Sequence, residues 1–174
     1  TALKIELENI SGCHTAGGSI DIFKCFDQIN RELILALCIE AGMPMRVLLP
    51  YFAYIDNMRI GYQVGKSIGS EHQDLCSLPQ GCPFSMTMIA LLLTAWSNKM
   101  VALQVTPRVL ADDLLFTTSG KGHLYRTIVG MAASRKFFDD IKAKVADKKC
   151  FTFATAPESR RKLASFDFGN GLRI

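Results

Sequence analysis

Residues 109–116 read VLADDLLF, and the place of Asp112 and Asp113 in that run decides how the rest of the chain is read. Residues 109–111 and 114–116 hold nothing polar, so the two carboxylates interrupt a buried or half-buried pair of strands. Like charges there repel each other, and each loses hydration at a cost of several kcal/mol by rough estimate. A positive partner must offset that cost, and a divalent cation with oxygen ligands suits a pair of aspartates. The same dipeptide at Asp139–Asp140 needs no such partner. In RKFFDDIKAKV, bases surround it and a helical period exposes it. An adjacent pair becomes informative only when a third carboxylate arrives from elsewhere.

Around that hairpin the chain reads as one α+β domain, residues 1–174, long enough to bury a substantial core. With 49% hydrophobic and 21% charged residues it is not a disordered chain. Its most apolar segment, MTMIALLLTAW (86–96), falls short of the ~20 residues a bilayer requires, so it predicts a buried helix and no membrane partner. Pro83 sits where a helix start tolerates a missing amide proton. Residues 1–20 lack an apolar signal core. The chain opens abruptly at TALKIELENI, as if continuing from something longer. The six cysteines form no C-x-x-C, and His14, His72 and His123 are not at zinc-ligand spacing. Reduced thiols acting as small apolar fillers are expected.

Charge is unevenly spread. Residues 121–174 carry twelve bases and five acids, a net of +7, whereas residues 1–60 carry five bases and seven acids. A polyanion would lie along that final third.

Local signals place the elements. GGSIDIFKCF (17–26) reads as a glycine turn feeding a strand. Asn30 is an N-cap for RELILALCIEA, which Gly42 and Pro44 close. MRVLLPYFAYIDNM predicts a helix interrupted near Pro50, and residues 59–77, with glycines at 61, 65 and 69, an irregular hairpin. ALQVTPRVL and LLFTTSG flank the acids as a hairpin with Asp112 and Asp113 at its tip. HLYRTIVGMAASRKFFDDIKAKV is an amphipathic helix, CFTFAT a strand and KLASFDF a further strand. Helices are expected to cover one face of a largely antiparallel sheet.

The third carboxylate is Asp21, at the start of an apolar run in SIDIFKCFD. Alone it reads as a strand-end aspartate. With Asp112 and Asp113 it completes a site for two Mg²⁺ ions, with Mn²⁺ as an alternative. Such ions activate a 3′-hydroxyl and stabilise a pyrophosphate leaving group.

SIDIFKCFDQIN, SLPQGCPFS and LADD stand in the order and at roughly the spacing of a reverse transcriptase palm, and the chain resembles that family from about Ser19 to Lys149. The likeness is nearest to non-LTR retrotransposons, with group II intron enzymes as relatives. It implies that Asp21, Asp112 and Asp113 hold the metals, and that Gln80 and Gly81 form the turn that contacts template and nucleotide. It implies that Lys149 assists pyrophosphate departure, with Lys148 beside it. Phe26 stands five residues after Asp21, where the family carries an aromatic gate against the ribose 2′-hydroxyl; the related RNA polymerases carry an aspartate there. Partners implied are an RNA template, a DNA primer, deoxynucleoside triphosphates and flanking domains of a longer polyprotein.

The sequence departs from the family pattern at three places. Leu110 stands where an aromatic residue is usual, and Lys142 where a glycine is usual. Upstream of Asp21 only twenty residues remain for fingers, with Lys4 their single base, and no thumb follows. The expectation is therefore a polymerase palm with part of the fingers and no thumb, whose isolated fragment polymerises poorly. The alternative is a decayed or domesticated domain of the same descent that binds nucleic acid without polymerising.

Overall fold

Gly17 and Gly18 lie inside a strand, Thr15–Asp21, and not in the turn expected for them. The reason is space on both faces of the sheet. A Cβ on Gly17 would collide with the Phe116 carbonyl oxygen and come within 2.6 Å of the Phe153 ring. A Cβ on Gly18 would stand 2.6 Å from Met131 and 2.7 Å from the Phe116 ring. Real side-chain contacts are never that short, so packing from both faces selects glycine where local propensity favours a turn.

The computed structural model describes residues 2–73 and 76–168. The ends of the expected 1–174 domain, and residues 74–75 of the hairpin stretch, lie outside the described residues. In chain order the elements are α1 (Ala2–Ile10), β1 (Thr15–Asp21), α2 (Cys25–Gln28), α3 (Arg31–Glu40), α4 (Met45–Asn57), β2 (Gln63–Val64), β3 (Ser67–Ile68), α5 (Pro83–Ala102), β4 (Thr106–Leu110), β5 (Asp113–Ser119), α6 (His123–Asp140), β6 (Phe151–Ala154) and α7 (Pro157–Ala164). A 3₁₀ turn, Asp147–Lys149, precedes β6. The chain divides into two compact units, residues 24–92 and the remainder.

The larger unit is built on an antiparallel sheet of order β4-β5-β1-β6. Side chains alternate faces along a strand. Ile20, Gly18 and Ala16 pair with Leu114, Phe116 and Thr118, and this set faces α6. Phe116, Met131 and Phe138 are fully enclosed, each stabilising by roughly 1.5–3 kcal/mol through its buried side chain. Trp96 from α5 is also enclosed, and its indole N–H donates to Ser134 on α6 at 2.9 Å. The expected antiparallel sheet backed by helices is present. So is the strand over CFTFAT, with Phe151–Ala154 alternating outward and inward.

KLASFDF is not a strand. Lys162–Ala164 end α7, and Phe168 packs beside the buried cluster of Ala16, Ala154 and Leu163. Pro157 at the first helical position and the Glu158–Lys162 pair at i, i+4 favour a helix over the alternation read from KLASFDF. The N-terminal helix α1 was not legible in advance. Its Glu8 accepts from the Thr15 hydroxyl at 2.6 Å, which holds that carboxyl below the usual range.

In the smaller unit, α3 and α4 pack on each other and enclose Ile34, Cys38, Leu48 and Ile55. The Asn30 side chain accepts from the Leu33 amide at 3.0 Å, as a cap should. The interruption expected at Pro50 is absent, and α4 runs through it. Pro50 and Arg46 are both on the exposed side, so water can take the carbonyl that Pro50 leaves unbonded. Buried Leu48, Phe52 and Ile55 hold both halves of the helix on the other side. The hairpin of β2 and β3 turns at Gly65, with φ 62°. No described helix is long and apolar enough to cross a membrane.

Helix α6 ends in a Schellman arrangement. The Ala143 amide donates to Phe138 at 2.8 Å and the Lys142 amide to Asp139 at 3.0 Å. Lys142 therefore takes φ 58°, the left-handed conformation in which glycine is unstrained. Replacing Lys142 by glycine should stabilise the protein by about 1 kcal/mol, read as a raised thermal midpoint. An unchanged or lowered midpoint would show that the lysine side chain compensates its strain.

Candidate active site

The catalytic candidates fall into two groups, one in each unit. In the larger unit, Asp21 ends β1 and Asp113 begins β5, and the two are direct partners in the ladder. Such partners point to the same face, with Cβ atoms about 4.5–5.5 Å apart. Both lie on the face away from Ile20 and Leu114, which enter the core. Asp112 is in the two-residue tip that joins β4 to β5, next to Ala111 at φ 56°. The register thus places all three residues at one end of the sheet, Asp21 and Asp113 on adjacent strands and Asp112 in the tip beside them, although 90 residues separate Asp21 from Asp112.

Two like charges directly opposite destabilise a ladder. Lys149 offsets them, its ammonium standing 3.1 Å from the Asp21 carboxylate. With the lysine 70% exposed, this pair contributes no more than about 1 kcal/mol and can exchange for another cation. The turn that carries Lys149 is fixed more firmly. The Ala146 amide donates to the Asp21 carbonyl at 2.9 Å, and the Asp21 amide donates to the buried Cys150 sulfur at 3.4 Å. Arg135 on α6 holds Asp147, the first residue of that turn, at 2.8 Å. Burial pushes the Cys150 thiol up from its ordinary pKa, so it acts here as a neutral acceptor. Neither Cys150 nor Arg135 was singled out from sequence, because their partners lie 129 and 12 residues away.

Hard oxygen donors on Asp21, Asp112 and Asp113, with no soft ligand required, fit a hard divalent cation. They are not drawn into a finished cage. Among the described residues no three His, Cys, Asp or Glu side chains are grouped closely enough to hold an ion. That agrees with Asp21 being paired to Lys149.

The second group lies in the smaller unit. Leu78 donates its amide to the Phe26 carbonyl at 2.8 Å, and Ser77 donates to Ile29 at 3.3 Å. FDQIN and SLPQG are therefore laced together by backbone. Pro79 to Cys82 form a turn closed by a 3.3 Å bond, with Gly81 at φ 82°. A type II turn requires that conformation at its third residue, which explains the glycine of LPQG. The Gln80 amide donates to Asp27 at 3.1 Å, leaving its carbonyl oxygen free to accept. Phe26 is half-buried, not part of the enclosed core. Arg31, buried at 8% exposure, donates to the Ser77 carbonyl at 2.9 Å and pairs with Asp56 at 3.1 Å. From sequence Arg31 was only the residue after the Asn30 cap.

The model of the family described as "Reverse transcriptase (RNA-dependent DNA polymerase)" matches residues 5–164. The chain belongs to that family. Among solved structures it resembles telomerase from Candida tropicalis in complex with the TWJ fragment of telomeric RNA, with a TM-score of 0.65 at 12% identity. It also resembles apo telomerase from the same organism, truncated from its C-terminal domain, with a TM-score of 0.56 at 16% identity. The matches cover 90% and 91% of this chain but 29% and 35% of those chains, so this chain spans about a third of their length. At such identities the likeness is one of fold. No curated protein matches the sequence.

Ala111 gives this site a test of its own. A left-handed alanine costs about 1–2 kcal/mol, and a β-branched residue more. Ala111→Gly should raise the thermal midpoint, while Ala111→Val should lower it and weaken whatever ligand Asp112 holds. If valine is tolerated without change in either, the tip is not held in the conformation described.

Proposed function

We propose that this chain is the palm, with part of the fingers, of an RNA-directed DNA polymerase that adds deoxynucleotides to a primer 3′ end while copying RNA. The observation that carries this reading is the ladder pairing of Asp21 with Asp113, with Asp112 in the adjoining tip and Lys149 against Asp21. Asp21, Asp112 and Asp113 would hold two divalent ions, Mg²⁺ by preference and Mn²⁺ as a substitute. When bound, these supply charge stabilisation to the attacking 3′-oxygen and to the pyrophosphate. Lys149, exposed beside Asp21, would offer its ammonium proton and charge to the leaving pyrophosphate. Gln80 would use its free carbonyl oxygen, and Gly81 its turn, against template and nucleotide. The face of Phe26 would exclude a ribose 2′-hydroxyl. Of possible sources, an element of the non-LTR retrotransposon kind fits the motif spacing.

A second reading, a domain of the same descent that binds nucleic acid without polymerising, draws on one observation: Lys149 already neutralises Asp21. Primer extension by the full-length protein separates the two. Asp112→Asn removes a ligand charge and should reduce extension at least roughly 10²-fold. Extension near the wild-type rate would mean that Asp112 holds no metal.

Phe26→Val should raise the ratio of ribonucleotide to deoxynucleotide incorporation. Because Phe26 is only half-buried, the melt should fall by less than the roughly 3–5 kcal/mol of a truncated core phenylalanine. An unchanged ratio with a strongly lowered melt makes Phe26 structural and removes the gate.

A further inference from the structure

At the opposite end of β1 from Asp21 lies a cavity of about 490 Å³ that the proposed polymerase chemistry does not use. The seven-residue strand β1, Thr15–Asp21, runs from beside its wall at His14 to the carboxylates, a distance of about 20 Å at strand rise. Three groups that carry or can carry positive charge line it: His14, His123 and Lys162. With them is Ser159, a hydroxyl at only 8% exposure. The His14 and His123 rings stand 6.3 Å apart.

His123 is held in place by both of its nitrogens. Nδ1 lies 3.0 Å from the Gly120 carbonyl, which can only accept, so that nitrogen carries a proton. Nε2 lies 3.0 Å from the Ser159 hydroxyl. Lys162 is tied to Glu158 at 2.8 Å, an exposed pair that an incoming anion can open. Among the described residues, Glu158 is the one carboxylate in the lining. The remaining wall consists of the first residues of α6 and α7, Gly122–Leu124 and Ala156–Ser159, and neither helix has a side-chain cap. Their first-turn amides add donors that favour an anion. Arg160 and Arg161 are exposed on α7 outside the cavity, within the +7 stretch of residues 121–174. The positive charge thus extends beyond the space one small anion fills, as recognition of a polyanion requires.

We propose that this cavity binds a backbone phosphate of a nucleic-acid strand, at a second contact remote from Asp21. The phosphate chemistry stands by itself; its nucleic-acid source rests on the polymerase reading.

The test uses the whole chain, a short fluorescein-labelled single-stranded RNA, and anisotropy titrations at several salt concentrations, without nucleotides. His14→Ala combined with Lys162→Ala alters two surface side chains and should leave the melt unchanged. It should weaken binding roughly 3–10-fold and reduce the slope of log K against log salt by about one. Lys136→Ala, which removes an exposed lysine elsewhere on α6, should change neither. In a parallel titration with inorganic phosphate, the backbone amide signals of Leu124, Glu158 and Ser159 should shift together. Unchanged RNA affinity and slope in the double variant would overturn the proposal, as would an equal loss in Lys136→Ala, which would mean diffuse charge. Amide shifts with phosphate but no change in RNA affinity would overturn the nucleic-acid source. The RNA titration without nucleotides and the amide shifts with inorganic phosphate involve no polymerisation. A failure of primer extension is therefore distinguishable from a failure here.

Discussion

The ladder between β1 and β5 is the constraint on which the rest depends. Its register puts Asp21 opposite Asp113, and the strict alternation of strand side chains then fixes every other assignment. Ile20 and Leu114 must enter the core, and Gly18 must lie under Phe116 and α6. A slip of one residue would bury the carboxylates and expose the core. The apolar packing of Phe116, Met131 and Trp96 therefore does more than stabilise the larger unit. It sets the face on which the acids stand, and so couples fold to chemistry.

Near Asp21 the supporting interactions differ in kind and in strength. The Lys149 ion pair is exposed and exchangeable, whereas the bonds from Ala146 and to Cys150 engage Asp21's own backbone. Fixed backbone with an exposed counter-charge would suit the metal-holding role proposed for Asp21. In the smaller unit the same division recurs. Backbone bonds join Phe26 and Ile29 to the 77–78 segment, while Gln80 is held by one exposed contact to Asp27.

Much of this was legible in the sequence where local pattern and tertiary demand agree. The hairpin around Asp112 and Asp113, the Asn30 cap, Pro83 opening α5 and the alternation of Phe151–Ala154 are of that kind. Legibility failed where distant residues override a local preference. Gly17 and Gly18 favour a turn until Phe116, Met131 and Phe153 arrive from far along the chain. Pro50 reads as a break until the apolar side of α4 is seen to hold across it. Arg31 looks like an ordinary first-turn residue until its contact with Ser77, 46 positions on, is formed. Asp21, Asp112, Asp113 and Lys149 could be named individually, but that the lysine rests on Asp21 was not in the sequence.

The glycine pair of β1 also bears on how such a gene would age. Any substitution of glycine adds at least one carbon, and at Gly17 and Gly18 that carbon has nowhere to go. These positions have no neutral neighbours in sequence space, although neither touches the chemistry. A copy released from selection for catalysis but still required to fold would lose its aspartates and keep both glycines. A copy released from all selection would lose the two kinds of residue alike.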